Sequence, residues 1–222
     1  MSRVAVAMTG PTGAVYWLRA LELLLNTDGE VHAVLAESAR RDISQEMGLE
    51  VPPDPSGQKE VLLRYWVDRA PRRAVPERVK RRFFCHAPGG LEEPIIAGAP
   101  TGPLGGAAGA PDLTGMVIIP CAMTTVAAVA AGLAGDLIER TAVGVIREGH
   151  PLVIVPREAP LGRIDLRNLL TLSEAGARVH PACPAFGARP KDLTELIDSV
   201  VVAALRPLLG DAAAEAAAAA RA

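Results

Sequence analysis

The sequence predicts an α/β domain of three layers, in which a doubly wound parallel sheet lies between two layers of helices. Short apolar runs alternate with segments whose apolar residues recur at helical spacing. Strands that are apolar on both faces indicate a sheet that is covered by helices on both sides. Half of the 222 residues are hydrophobic, yet the aromatic residues are only three Phe, two Trp and two Tyr. This composition favours layered helix and sheet packing over an aromatic-rich β-sandwich.

The predicted elements follow one another along most of the chain. Periodicity and turn residues predict strands at residues 3–8, 31–35, 114–119, 152–155 and 178–180. They predict helices at residues 14–25, 38–47, 124–134, 166–175 and 193–209. In such a sheet, ligands bind beyond the carboxyl ends of the strands, where the strand order reverses.

The length predicts a single domain over residues 1–210, followed by an Ala-rich tail or helix extension over 211–222. Two stretches depart from the alternation of strands and helices. Residues 52–93 are charged and Pro-rich, and residues 97–112 are almost entirely Gly, Ala and Pro. We interpret both as insertion-like, the second as a flexible surface insertion.

Charge and cysteine content exclude several classes of protein. A net charge of −2 argues against nucleic-acid binding, which needs a basic surface. The three widely spaced cysteines form neither a disulfide framework nor a metal pair, so we expect a cytoplasmic protein without a metal site. The first apolar run is too short for a signal peptide. The uncharged run 115–135 contains Pro120, and we interpret it as a strand, a turn and a helix rather than a membrane span.

The first candidate site is the turn that follows the first strand. Its glycines let the backbone approach a ligand, and the helix that follows presents free N–H groups to a phosphate. The turn is not a GxGxxG sequence and lacks the lysine of a phosphate-binding P-loop. The alternative is a plain turn. The residues concerned are Gly10, Pro11, Thr12 and Gly13.

Two further junctions follow predicted strands in the same way. One could bind a phosphate or a polar ring edge, or its Thr residues could simply cap the following helix; it consists of Ala122, Met123, Thr124 and Thr125. The other carries Arg157, which could pair with a phosphate or carboxylate, and Glu158, which could orient it or transfer protons. Taken alone, Glu46, Arg140 and Arg147 are better explained as surface residues.

Several segments resemble the flavin prenyltransferase (UbiX/Pad) family in order and spacing. They include VAVAMTGPTGAVYWLRALELL, VHAVLAESARRDISQEMG, PIIAGAPT, GMVIIPCAMTT, DLIERTAVGVIREGHPLVIVPREAPL and GARVHPACPAF. Together they span residues 3 to about 209, apart from the two irregular stretches.

The resemblance implies a Rossmann-like flavoprotein that binds FMN, in symmetric oligomers with sites between subunits. Prenyltransferase members of the family join a dimethylallyl group to reduced FMN, and the prenylated FMN serves partner decarboxylases. Family FMN contacts correspond to the three junctions: Gly10, Pro11 and Thr12, then Ala122 to Thr125, and Arg157. The resemblance further implies active-site roles for Glu46, Glu158 and Arg140.

This sequence departs from the family where FMN phosphate is bound. The family serine after the second strand is Ala36 here, although Ser38 lies nearby. The family Ser-x-Lys-Thr motif has become Ala-Met-Thr-Thr at residues 122–125. FMN binding should survive, because backbone N–H groups and glycines remain, and we expect the phosphate at the turn from Gly10 to Gly13.

A second set of departures affects the residues that hold the prenyl phosphate in the family. A lysine is replaced by Arg147, a tyrosine by Gly187 and a basic residue by Ala203. Losing two donors to a phosphate dianion should weaken its binding by roughly 3–6 kcal/mol. Arg147 retains a charge but not the lysine geometry.

Three functions are compatible with these residues. The first is an FMN protein, holding FMN in free, reduced or prenylated form, which has lost prenyl transfer and assists a prenylated-FMN-dependent decarboxylase. The second is an active prenyltransferase whose phosphate site is rebuilt from Arg163, Arg167 or Arg189. The third is a flavoenzyme similar to phosphopantothenoylcysteine decarboxylase, although Tyr16 and Trp17 stand where that group has a histidine. In each case we expect a homo-oligomer, a trimer or a multiple of it.

Overall fold

A computed structural model describes residues 2–10, 12–69, 76–89 and 113–221. Six strands form one parallel sheet in the order β3-β2-β1-β4-β5-β6. They are β1 (Arg3–Met8), β2 (Glu30–Leu35), β3 (Phe83–His86), β4 (Gly115–Cys121), β5 (Leu152–Pro156) and β6 (Arg178–Val179). The chain runs outward from β1 to β3, then returns beside β1 and runs outward to β6. The predicted doubly wound α/β fold is therefore confirmed, with its switch point between β1 and β4.

The two helical layers follow from the alternation of side chains along the strands. On β1, Val4, Val6 and Met8 face one core cluster, which they share with α1, α2, α3, α8 and α9. Ala5 and Ala7 face a second cluster, which they share with α5, α6 and α7. The helices in chain order are α1 (Ala14–Leu25), α2 (Glu37–Met47), α3 (Pro55–Arg69), α4 (Glu77–Arg82), α5 (Met123–Ala130), α6 (Leu137–Arg147), α7 (Arg163–Glu174), α8 (Leu193–Leu209) and α9 (Ala212–Arg221).

The interpretation of residues 52–93 as an insertion is corrected by the structure. This stretch contains α3, α4 and β3, and β3 pairs with β2 as an edge strand of the sheet. A four-residue strand next to a basic helix has too few residues to show a period of its own. Residues 97–112 lie outside the described part of the chain.

Helix α6 was not predicted, although the sequence carries a signal for it. Asp136 is its N-cap, and the carboxylate of Asp136 accepts a hydrogen bond from the backbone N–H of Glu139 at 2.8 Å. An acidic N-cap residue with a Glu three positions later is a typical helix start. The uncharged run 115–135 forms β4 and α5, as predicted, and no helix in the described ranges is long and apolar enough to cross a membrane.

The Ala-rich C-terminal segment is part of the helical layer. Helix α9 follows a turn at Gly210, and its Ala213, Ala216 and Ala217 are buried in the first core cluster. Beside it, the buried Arg19 of α1 pairs with Asp198 of α8, with its Nε 2.6 Å from the carboxylate. This ion pair ties α1 to α8 within a largely apolar layer.

A pair of imidazoles lies buried between β2 and the edge strand β3. Nδ1 of His32 lies 3.2 Å from Nε2 of His86, and the Phe84 ring stacks on His32 with centroids 5.1 Å apart. Burial, and after it the neighbouring His86, lowers the pKa of His32 to about 4. His32 is therefore neutral in the folded protein at neutral pH.

We expect this histidine to make the protein less stable in acid. An unfolded chain protonates His32 near pH 6.5, whereas the folded protein does so only near pH 4, so stability falls as the pH is lowered between these values. A difference of about 2.5 pKa units corresponds to about 3 kcal/mol of unfolding free energy. Urea unfolding of the unmodified protein and of His32→Gln at pH 7 and pH 4.5 measures this contribution. The same loss of stability in both proteins would contradict it.

Candidate functional site

Three neighbouring strands are followed, at one edge of the sheet, by helices that have no side-chain cap of their own. Helices α1, α2 and α5 follow the neighbouring strands β1, β2 and β4, and their N-cap residues are Gly13, Ala36 and Ala122. By contrast, Asp136 and Asp192 cap α6 and α8. The first turns of the three uncapped helices therefore direct unsatisfied N–H groups and a partial positive charge at this edge, which we call the site edge.

The turn after β1 depends on its glycines. Gly10, Thr12 and Gly13 have positive φ angles of 84°, 42° and 94°. A Cβ at Gly13 would lie 3.0 Å from Cδ of Arg157 and 3.1 Å from Cγ of Pro120. Glycine is thus needed at position 13 for the backbone conformation and for the close approach of the turn to Arg157 and Pro120. Pro11 lies outside the described residues.

Glu46 supplies the cap that α1 lacks. Its carboxylate accepts hydrogen bonds from the N–H groups of Gly13 and Ala14, each at 2.8 Å. Two N–H groups of the turn where we expected a phosphate are therefore bonded to a carboxylate of the same chain. The four-residue spacing of Ser38, Asp42 and Glu46 places them on one face of α2, but only the packing of α2 shows that this face contacts the turn.

Arg157 and Glu158 connect the other two junctions, as their position after a neighbouring strand predicts. Nε of Arg157 donates to the carbonyl of Thr12 at 3.1 Å. The carboxylate of Glu158 accepts from the N–H of Met123 at 2.9 Å, which caps α5 from a distance of 35 residues along the chain. The structure thus brings all three junctions together at the site edge.

Some groups at the site edge were not identified from the sequence. A Cβ on Gly10 would lie 2.9 Å from the carboxylate of Asp42. Tyr16 lies within electrostatic reach of Arg157 and Cys183; burial raises the pKa of Tyr16, while Arg157 acts to lower it. Only long-range packing places these side chains together, so no local pattern indicated them.

Thiol and metal chemistry find little support here. Burial raises the pKa of the Cys121 thiol to about 12, although hydrogen bonding to Thr9 opposes this increase. The thiol is therefore protonated at neutral pH and a poor nucleophile. Across the described ranges, no three His, Cys, Asp or Glu side chains are grouped so as to hold a metal ion.

The two arginines of α6 lie at different ends of that helix. The first residue, Leu137, donates its N–H to the carbonyl of Pro88 just after β3, which places Arg140, one turn on, near the site edge. Arg147 ends the helix, and the following loop bonds to the start of β4 at the opposite edge. Eleven residues of helix span about 16 Å. The expectation that Arg147 joins the other site residues is thus not met within one protomer, because α6 runs antiparallel to the strands.

The positions where the sequence departs from the family's prenyl-phosphate residues have no packing role. A Cβ at Gly187 would meet no atom within 4 Å, so this position faces open space. Phe186, which precedes Gly187 in the sequence, is 71% exposed. Ala203 is exposed on α8. Neither position therefore supplies a side chain that could hold a phosphate.

The chain is similar to known flavoproteins over almost its whole length. The family model described as Flavoprotein matches residues 1–204. The flavin prenyltransferase UbiX of Synechocystis sp. is 37% identical over 206 residues, which cover 93% of this chain and 90% of the relative. The UbiX of Pseudomonas aeruginosa is 34% identical, with coverages of 93% and 88%.

Solved structures agree with this relationship. The crystal structure of AnUbiX (PadA1) in complex with FMN and dimethylallyl pyrophosphate has a TM-score of 0.72, 30% identity, and coverages of 93% and 92%. A dodecameric FMN-dependent UbiX-like decarboxylase from Escherichia coli O157:H7 has a TM-score of 0.68, 30% identity, and coverages of 91% and 92%. A phosphopantothenoylcysteine decarboxylase is only 18% identical and shares the fold alone. From the sheet order, the conserved length and these identities, the chain belongs to the flavoprotein family, within its flavin prenyltransferase (UbiX/Pad) group.

Proposed function

We propose that this protein binds FMN at the site edge and has lost prenyl transfer. One observation carries the proposal: the segments that match the family's flavin contacts are held together by hydrogen bonds, whereas Gly187 and Ala203 supply no donor where the family has a tyrosine and a basic residue. The flavin region also departs from the family, at Ala36 and at residues 122–125, but it keeps its backbone N–H groups and glycines.

The residues at the site edge fit FMN. A Cβ at Gly10 or Gly13 would meet Asp42, or Arg157 and Pro120, so glycines are needed for the turn to pack against these residues of the site edge. Within the part of the chain that the structure describes, the N–H groups of Thr124 and Thr125 in the first turn of α5 have no acceptor. These N–H groups, the Thr124 hydroxyl and the exposed Arg157 guanidinium suit an anionic, polar ligand.

The carboxylates at the site edge restrict where the FMN phosphate can lie. Glu46 covers the N-terminus of α1, and Asp42 lies beside Gly10, so a phosphate in the turn itself would meet two negative charges. Donors for a phosphate remain at the N-terminus of α2, with Ser38, and in the first turn of α5 at Thr124 and Thr125, beyond the Met123 N–H to which Glu158 bonds. We therefore place the phosphate between α2 and α5, and the Gly10–Gly13 turn against the uncharged part of the cofactor.

Bound FMN supplies reversible electron transfer and a reactive ring nitrogen. The chain's own groups orient it and control protons nearby. Glu158, held by the Met123 N–H, and Glu46, held by the α1 N-terminus, present carboxylates in fixed positions. Arg157, anchored on Thr12, and Arg140, in the first turn of α6, supply positive charge.

An active flavin prenyltransferase is the second candidate function. The chain's similarity to the UbiX flavin prenyltransferases of Synechocystis and Pseudomonas aeruginosa, at 37% and 34% identity, favours this function. The chain would then need other cations for the prenyl phosphate, with Arg163, Arg167 and Arg189 available.

If transfer is lost, we propose that the protein holds FMN, free, reduced or prenylated, for a decarboxylase that depends on prenylated FMN. The free thiols of Cys85, Cys121 and Cys183 support a cytoplasmic location.

We further propose a homo-oligomer of three chains or a multiple of three. Large apolar side chains are exposed on α7 and next to the site edge. They are Leu133, Ile164, Leu166, Leu170, Phe186 and Leu193, each at least 55% exposed. A second chain over this surface would cover both these side chains and the open end of the flavin site, and could bring its Arg147 to it.

The flavin site is tested by adding one methyl group. We expect Gly13→Ala to raise the Kd for FMN at least about tenfold, because the new Cβ displaces Arg157 and Pro120 from the turn. Gly176→Ala is a matched control, since Gly176 has a similar φ of 97° and no atom within 4 Å of its Cβ position. Titration of both folded variants with FMN, followed by fluorescence quenching, measures the effect. Equal Kd values for Gly13→Ala and the unmodified protein would show that the turn does not contact the flavin.

Prenyl transfer is tested directly. With reduced FMN and dimethylallyl monophosphate under anaerobic conditions, we expect prenylated flavin to form about two to four orders of magnitude more slowly than with the Synechocystis relative, because phosphate donors are missing. Gly187→Tyr combined with Ala203→Arg should recover part of the rate, since Gly187 has open space around it. Mass spectrometry of the flavin measures the product. Rapid turnover by the unmodified protein would establish the second candidate function instead.

Assembly is tested by light scattering at micromolar concentration, where we expect at least three chains per particle. Leu170→Asp places a charge in the exposed apolar surface and should dissociate the assembly. Ser56→Asp adds the same charge to an exposed position on α3 and should leave it intact. A monomeric unmodified protein would count against the oligomer and against a shared flavin site.

A further inference from the structure

Thr9 forms hydrogen bonds to three different parts of the site edge. It follows β1 and is only 8% exposed. Its backbone N–H donates to the carbonyl of Pro120 at 3.2 Å. Its hydroxyl oxygen accepts from the N–H of Ala122 at 3.0 Å, and its carbonyl accepts from the hydroxyl of Ser38 at 3.2 Å. A single buried residue thus connects the end of β1 to β4, to the start of α5 and to the start of α2.

The hydroxyl takes a place that a backbone carbonyl has in a regular sheet. In a parallel ladder that already contains the bond from the Thr9 N–H to Pro120, the Thr9 carbonyl would accept from the N–H of Ala122. Here the side-chain oxygen accepts that bond, and the carbonyl is free to accept from Ser38. The hydroxyl thus ends the ladder at the switch point without leaving the buried Ala122 N–H unpaired.

The hydrogen bond from Ala122 to the Thr9 hydroxyl lies at the start of α5. Ala122 is the N-cap of α5, it is 9% exposed, and its own side chain cannot cap the helix. The Thr9 hydroxyl therefore determines how the first turn of α5 is held relative to β1. Through Ser38, the same residue holds the first turn of α2.

We infer that Thr9 is a positioning residue for the flavin, which sets the separation and orientation of the α2 and α5 N-termini through its hydroxyl. This inference rests on the proposed FMN site, since those two N-termini are where the phosphate is placed. Thr9 itself is buried beneath the turn and acts through Ala122 and Ser38. A valine at this position has the same shape, but it leaves the Ala122 N–H without an acceptor and frees α5 to shift.

The experiment compares three variants with the unmodified protein. Thr9→Val removes the hydroxyl, Thr9→Ser keeps it, and Thr141→Val removes a hydroxyl that is equally buried but bonds to Leu137 within α6. We measure the Kd for FMN, the visible spectrum of the bound flavin and the thermal unfolding of each apoprotein. Thr9→Ala serves in place of Thr9→Val if the latter does not fold.

We expect Thr9→Val to raise the Kd at least tenfold and to alter the flavin spectrum, while Thr9→Ser stays within threefold of the unmodified protein. Thr141→Val should lower the unfolding temperature comparably yet leave Kd and spectrum unchanged, which separates positioning from stability. Equal FMN binding by the unmodified protein and Thr9→Val would overturn this inference alone, as would an equal loss in Thr9→Ser. No FMN binding by the unmodified protein would overturn the proposed function, and this inference with it.

Discussion

The reversal of strand order between β1 and β4 is the constraint on which the site depends. Six parallel strands bury both faces of the sheet, and at this switch point the connections leave the neighbouring strands β1 and β4 in opposite directions. Three helices start beside the switch point with N-cap residues that have no capping side chain. Their N–H groups must be satisfied by something other than their own sequence, either by residues distant in the chain or by a ligand.

Carboxylates of the protein itself accept hydrogen bonds from some of these N–H groups. Glu46 bonds to the start of α1 and Glu158 to the start of α5, each more than 30 residues away in sequence. Because these side chains are negative, they also decide which helix ends remain for an external anion. Thr9 satisfies the N–H of Ala122 with a neutral hydroxyl and so adds no charge there.

The segments proposed to bind the flavin and the positions proposed to have lost prenyl-phosphate contacts have different structural origins. The former are backbone groups at the ends of buried strands, so they persist as long as the sheet forms. The latter are side chains on the exposed 3₁₀ turn at Phe186–Ala188, on the exposed face of α8 and at the far end of α6. Side chains at such exposed positions contribute little to stability, so the fold does not depend on which residues stand there.

The sequence by itself determined the elements with a clear apolar period and the junctions between them. The bounds of β1, α1 and α8 follow from periodicity, and strand adjacency brings the turns at Gly10–Gly13, Ala122–Thr125 and Arg157 to one edge. Only the tertiary structure decided that β3 is an edge strand, that Glu46 caps α1, that Thr9 bridges β1 to α2 and α5, and that Arg147 lies at the opposite edge of its own protomer. Local periodicity encodes which face of a segment is buried, whereas these contacts join residues 29 to 113 positions apart and depend on the packed geometry of the whole sheet.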